Sequence, residues 1–168
     1  MNLTLARLRR VFGHSSEMIN ESNFQPLEES DLPTVVAIEQ RVMPFGWILN
    51  TFRSCIHNAA YECWKLNFDE SVIGYCILYF VGPSVQLLNL CVDLPYQGKG
   101  FGRDLLCFAL ARCREREARE IFLEVRVSNT VAQQLYSTMG FRKIDRRIDY
   151  YQSPNGREHA EVFALKLV

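Results

Sequence analysis

The chain has 168 residues, 48% hydrophobic and 23% charged, with 19 Lys+Arg set against 19 Asp+Glu. That length suits one domain with a proper core, and that composition excludes a disordered chain. A formal net charge of zero weighs against a non-specific nucleic-acid binder and leaves no global field to steer a charged partner.

In chain order, the opening "MNLTLARLRRVFGHSSEM" is basic but lacks the continuous apolar stretch of a signal peptide. Leu3, Leu5, Leu8 and Val11 set against Arg7, Arg9 and Arg10 leave three readings open: a short amphipathic helix, a loosely held terminus, or an extension before a start at Met18. Residues 1–22 are therefore expected to form an extension, and 23–168 a single domain. No apolar run reaches the ~18 residues of a membrane span, so no membrane association is expected. The six cysteines (55, 63, 76, 91, 107 and 113) make no C-x-x-C pair and fall in apolar runs. They read as small buried hydrophobes in a reducing cytoplasm, with no metal site.

"NFQPLE" (Asn23–Glu28) is a short strand candidate, and a helix with Pro33 in its first turn follows to about Met43, capped by Ser30 or Asp31. "PFGW" (Pro44–Trp47) breaks it before a second short helix from about Ile48 to His57. "AYECWKLNF" and "VIGYCILYFV" then form a hairpin about the turn Asp69–Ser71, and Val85–Val92 continues the meander. A glycine-rich turn leads into a helix to about Glu117, and "EIFLEVRV" is the next strand. "SNTVAQQLYSTMG" is a capped helix stopped by Gly140, and two closing strands flank the hairpin signal Asn155-Gly156. The order β-α-α-β-β-β-α-β-α-β-β predicts a mixed α/β sheet of about seven strands, mostly antiparallel, with about four helices on its faces. The helix between the fourth and fifth strands lets those two run parallel by a right-handed crossover.

The turn "QGKGFGR" (Gln97–Arg103) spends three glycines where each costs chain entropy. Placed between a strand and a helix, it has the chemistry of an anion cradle. The first N–H groups of a helix lack intrahelical partners, the helix dipole adds positive charge, and Lys99 and Arg103 add more. A phosphate or pyrophosphate fits, although a plain turn rich in glycine has the same letters. The P-loop pattern and the G-x-G-x-x-G dinucleotide fingerprint are both absent, so neither ATP nor NAD is favoured.

Gln97, Gly100 and Gly102 match the Q/R-x-x-G-x-G/A pattern of the GNAT family of N-acetyltransferases, which this sequence resembles. "LNLCVDLPYQGKGFGR" is similar to that family's strand, bulge and pyrophosphate loop, and "FLEVRVSNTVAQQLYSTMGF" to its next strand and helix. "IEQRVMPFGW", "IDYYQSPNGREHA" and "ALKLV" extend the likeness toward the ribosomal-protein-alanine branch, from about Phe24 to Val168. Gly98 and Lys99 depart from the family's usual loop, Gly46 interrupts its F-P-W spacing, and His159 stands where an aspartate is usual.

The resemblance implies acetyl-CoA as donor, held at Leu90, Cys91, Val92, Gln97, Gly98, Lys99, Gly100, Phe101, Gly102, Arg103 and Asn129. It also implies Glu124 as general base and Tyr136 as the acid that protonates the leaving sulfur. Without it, Glu124 is equally a solvent-facing strand residue, Tyr136 a core aromatic and Asn129 a simple helix cap. An acyl-enzyme on Cys91 is disfavoured, because no histidine neighbours it to activate the thiol. The implied acceptor is the α-amine of an N-terminal alanine on a small-subunit ribosomal protein, met by a cytoplasmic monomer. Trp47, Tyr150, Tyr151 and Glu39 are its candidate contacts. Tyr150 and Tyr151, adjacent on a strand, are expected on opposite faces. A lysine side chain or a small-molecule amine as acceptor, and a non-catalytic acyl-CoA-binding module, stay open.

Overall fold

The computed structural model describes residues 19–167; the basic segment 1–18, with its candidate helix and its alternative start at Met18, lies outside the described residues. The elements are β1 (Phe24–Pro26), α1 (Leu32–Val42), α2 (Leu49–Ile56), β2 (Tyr61–Phe68), β3 (Ser71–Val81) and β4 (Ser84–Val92). They continue with α3 (Phe101–Glu115), β5 (Glu120–Arg126), α4 (Thr130–Thr138), β6 (Arg142–Ser153) and β7 (Gly156–Lys166). The seven strands form one sheet in the order β1-β2-β3-β4-β5-β7-β6. Every neighbouring pair is antiparallel except β4 and β5, which run parallel across the α3 crossover.

Two hydrophobic clusters cover the two faces. Leu105, Leu106, Ala109 and Leu110 of α3 join Tyr136 and Met139 on one side, and Leu32, Val35 and Ile38 of α1 join Phe52 and Cys55 of α2 on the other. β3 runs between them with Ile73, Tyr75, Cys76, Ile77 and Leu78 all fully buried, which is why its sequence reads as unbroken apolar residues rather than alternating ones. Ile19 is buried in the α3-side cluster, so the packed body begins ahead of β1. All six cysteines are buried, and none is in a disulfide. Among the described residues no helix is long and apolar enough to cross a membrane.

Two local expectations resolve differently from the simplest form. Asp31 precedes α1 but makes no side-chain cap bond to it. A 3-10 turn at Glu29–Asp31 feeds straight into the helix. The Asp31 carboxylate instead accepts the Glu28 N–H at 2.8 Å and pairs with Lys65 at 2.8 Å, a cation it meets only once β2 is folded beside it. The closing hairpin forms, but it turns at Pro154-Asn155 with Ser153 paired to Gly156, one residue ahead of the expected Asn155-Gly156, and its second strand, β7, inserts beside β5 and leaves β6 at the edge.

Candidate active site

β4 and β5 pair only from Ser84–Gln86 against Glu120–Phe122. Beyond that point β4 stays with β3 as far as Val92, and β5 stays with β7 as far as Arg126. The two strands therefore part. β4 pairs Leu87 with Leu78 and then Asn89 with Ile77, which leaves Leu88 as an extra residue. Such a bulge bends its strand and increases its twist, turning β4 away from β5. The cleft between them is a cavity of about 230 Å³, bounded by Leu87–Leu90 on one strand and Leu123–Arg126 on the other.

The glycine turn lies at the end of β4. Gly98 and Gly100 adopt φ of 72° and 92°, the left-handed region that glycine enters without strain. Gly100 is the N-cap of α3, and its carbonyl takes the N–H of Arg103 at 3.0 Å and of Asp104 at 3.1 Å. The N–H groups of Phe101 and Gly102 head the helix with no acceptor four residues back, the arrangement that suits a phosphate. The Gln97 side chain donates to the Val92 carbonyl at 2.8 Å, so it ties the loop to β4 rather than reaching outward. Lys99 lies 5.6 Å from the Tyr96 ring centre. Arg103 bridges to α4 through Met139 Sδ at 3.2 Å and Thr138 Oγ1 at 3.1 Å. The Phe101 and Val92 side chains belong to the core, which leaves only their backbone for a ligand. Cys91 points to the α1 face, where burial pushes its thiol up to about 12.

Glu39 forms part of the cavity wall and is 2% exposed, so the solvated helix face that its position also allowed is not what forms. One carboxylate oxygen accepts the Trp47 N–H at 2.8 Å and Asn89 Nδ2 at 3.2 Å; the other accepts the Tyr75 hydroxyl. Burial holds the Tyr75 phenol far above its usual range, so it stays a donor. The loop wraps this carboxylate so closely that a Cβ on Gly46 would lie 2.6 Å from Glu39 Cγ, which accounts for the glycine that interrupts "PFGW". Trp47 packs on Phe52 at 5.4 Å between ring centres and also lines the cavity.

On the facing wall, Glu124 lies with one carboxylate oxygen 3.1 Å from Arg147 Nε. Tyr136, on α4, is buried against Phe141 and Phe163 and lines the same cavity. Burial pushes its phenol up to about 12, so it keeps its proton at neutral pH. Asn129 does both things its sequence position allows: it accepts the Ala132 N–H at 3.1 Å as the α4 cap, and it lines the cavity. Tyr151 donates its hydroxyl to the Glu124 carbonyl at 3.1 Å and forms part of the lining. Tyr150 does not line it. Its ring meets Tyr151 edge-on at 4.9 Å instead of pointing to the opposite face, because β6 slips register between Arg147 and Tyr151.

The chain matches the model of the acetyltransferase (GNAT) family over residues 23–141. It belongs to that family. It is 36% identical over 141 residues to the [ribosomal protein bS18]-alanine N-acetyltransferase of Escherichia coli K12, a match covering 84% of this chain and 95% of that one. The crystal structure of the ribosomal-protein-S18-alanine N-acetyltransferase from Escherichia coli superposes with a TM-score of 0.81 at 35% identity, covering 86% of this chain and 92% of the other. Arabidopsis thaliana NAA60 in complex with acetyl-CoA shares the fold at 20% identity and a TM-score of 0.77, over 85% and 97% of the two chains.

As a GNAT acetyltransferase the protein uses acetyl-CoA as donor. Its fold brings Glu124, Tyr136, Asn129, Leu90, Trp47, Tyr151 and Glu39 to one cavity and sets the glycine loop at the end of the same β4 strand. Among the polar side chains lining the cavity, Asn89 and Arg126 escape sequence reasoning, as does Arg147, which reaches Glu124 from outside the lining. Arg126 carried a usable signal, since it shares a strand face with Glu124 two residues before it. Arg147 carried none, because its partner lies across β7 on a strand two positions away in the sheet.

Proposed function

We propose that the protein moves the acetyl group of acetyl-CoA to the α-amine of an N-terminal alanine on a small-subunit ribosomal protein. The observation that carries this is the placement of Glu124 and Tyr136 in one cavity opened by the parting of β4 and β5, with the α3 N-terminus at its cofactor end. The name of the Escherichia coli relative supports the choice of acceptor. Six cysteines outside any disulfide and a ribosomal acceptor both suit the cytoplasm.

The reaction needs a free amine, a polarised thioester and a protonated leaving group. An α-ammonium has an ordinary pKa near ~8, so a base of modest strength suffices at neutral pH. Glu124 takes that proton, through a water. The nitrogen then attacks the carbonyl carbon directly; the new C–N bond forms as the C–S bond breaks. On β4 the N–H groups of Leu90 and Val92 face the edge that β5 has left, where they can meet the developing oxyanion. Tyr136 gives its proton to the departing sulfur. Cys91 takes no part, because its thiol is buried away from the cavity. Trp47 and Tyr151 wall the acceptor, and Glu39, whose three donors are all neutral, leaves negative charge to favour an incoming ammonium.

Mass spectrometry on two short peptides tests this. One has a free N-terminal alanine and no lysine; the other has a blocked N-terminus and one lysine. Acetylation of the first alone is the expected result. Acetylation of the second alone makes the acceptor a lysine side chain. Neither, with acetyl-CoA still bound, points to a small amine or a binding module.

A further inference from the structure

The irregular stretch of β6 beside the cavity carries a titratable group that the mechanism above does not use. Arg147 pairs with Ala160 and Tyr151 with Glu158, so Ile148, Asp149 and Tyr150 all stand opposite the single residue His159. Asp149 holds φ of 49°, a left-handed conformation that a non-glycine residue keeps only when its surroundings impose it. His159 supplies part of that constraint, beside the Arg157 guanidinium. Its Nδ1 lies 2.9 Å from the Asp149 backbone nitrogen. A backbone N–H donates, so Nδ1 must hold the lone pair, and the ring is neutral with its proton on Nε2.

The same Nδ1 is 3.4 Å from the Asp149 carboxylate. A protonated ring reverses the geometry. Nδ1–H no longer accepts the backbone N–H and is drawn to the carboxylate instead, so the excursion cannot keep its form. The other charged groups nearby are engaged. Arg157 donates to the carbonyls of Asp149 and Tyr150, Arg126 pairs with Glu158, and Arg147 pairs with Glu124. From β5, the residue facing His159 is Val127, whose N–H donates to the His159 carbonyl at 3.2 Å. The two residues that flank the excursion, Arg147 and Tyr151, are the two that hold Glu124, one by its carboxylate and the other by its carbonyl.

We propose that His159 is a positioning residue for the acceptor wall: by accepting the Asp149 N–H, its neutral ring holds the β6 excursion in the form that keeps Tyr151 and Arg147 on Glu124, and protonation releases that form. This rests on the acceptor reading given above. It makes acceptor binding, rather than acetyl-CoA binding, depend on whether the His159 ring can accept that N–H.

The test pairs an amide titration with kinetics, in the wild type and in His159→Asn, whose side-chain oxygen accepts an N–H at every pH. Across pH 5 to 8, the Asp149 and Tyr151 amide signals should move with the His159 ring in the wild type and stay flat in His159→Asn. Over the same range the wild-type KM for the alanine peptide should rise several-fold toward low pH relative to His159→Asn, with the KM for acetyl-CoA the same in both. An Asp149 amide that ignores the His159 titration overturns the proposal, as do matching peptide KM profiles in the two proteins. Failure to acetylate any peptide sinks the acceptor claim with the reading beneath it, while the amide titration, which needs no substrate, still decides the excursion.

Discussion

Glu124 and Tyr136 share a cavity but have opposite surroundings, and those surroundings suit opposite proton duties. Glu124 sits against a guanidinium and a half-open cleft, whereas Tyr136 is buried among aromatic rings. Glu124→Gln should lower kcat by roughly 10²- to 10⁴-fold, the usual range for losing a general base, with the KM for acetyl-CoA unchanged. A kcat within a factor of three of wild type would remove Glu124 from the chemistry. Tyr136 has its phenol raised from 10 to about 12, so the acid form is the one present at all lower pH. The wild-type kcat should therefore rise as the amine deprotonates and then hold level to about pH 10. Tyr136→Phe should lie well below it across that whole range. A wild-type kcat that falls between pH 8 and 9.5 would mean that the acid is some other group. Glu124 stood out as a charge on an apolar strand, but a solvent-facing residue has the same pattern, and the roles read for Glu124 and Tyr136 came from the family resemblance. Arg147 was not legible, because nothing local marks a residue whose partner is brought to it by sheet order.

The glycine turn and the β4 bulge differ in how far sequence reveals them. Glycines that need positive φ leave a visible mark, since few other residues tolerate it, so the cradle could be read from "QGKGFGR". Its individual side chains could not. Gln97, a position the family pattern fixes, holds Val92, and Phe101, which the pattern leaves open, fills the core. The bulge at Leu88 could be expected only through the family resemblance, because by itself an extra leucine in an apolar strand looks like any other. Two substitutions separate these elements. Gly100→Ala forces a Cβ into a left-handed N-cap, at about 1–2 kcal/mol. It should lower the denaturation midpoint and raise the KM for acetyl-CoA while sparing the KM for peptide. Gly74→Ala, on β3, would put a Cβ 2.7 Å from the Cys91 carbonyl oxygen, beneath the strand proposed above to hold the thioester. Neither backbone can yield cheaply, so a loss of about 1–3 kcal/mol in chemical denaturation is expected. A neutral Gly74→Ala would show that β3 and β4 stand further apart than the structure has them.

At the scale of the whole molecule the sheet is cut in two where β4 leaves β5, and something must hold the halves together across the cavity. The parallel pairing itself could be foreseen from a helix between two strands. Which strand of the closing hairpin would dock on β5 could not, since both are long and the choice is decided by contacts distant in sequence. β7 takes that place, and β6 and the hairpin then reach back over the opening. Arg126 closes the circuit. Its guanidinium donates to the Gln152 carbonyl at 2.8 Å, to Glu158 at 3.2 Å and to the Pro44 carbonyl at 3.4 Å, and it stacks on the Tyr151 ring at 4.4 Å. One side chain on β5 thus ties the α1–α2 loop to the β6–β7 hairpin, the two pieces proposed above to wall the acceptor. None of these bonds reaches the glycine loop. Arg126→Ala should raise the peptide KM about 10-fold, equivalent to ~1.4 kcal/mol of lost acceptor binding, and leave the acetyl-CoA KM in place. Arg126→Lys should recover only part of that loss, because an ammonium carries the charge without the planar fork that reaches three acceptors at once. Full recovery by lysine would reduce the clamp to simple charge, and an equal rise in both KM values would make Arg126 a general support of the fold rather than a clasp on the acceptor side.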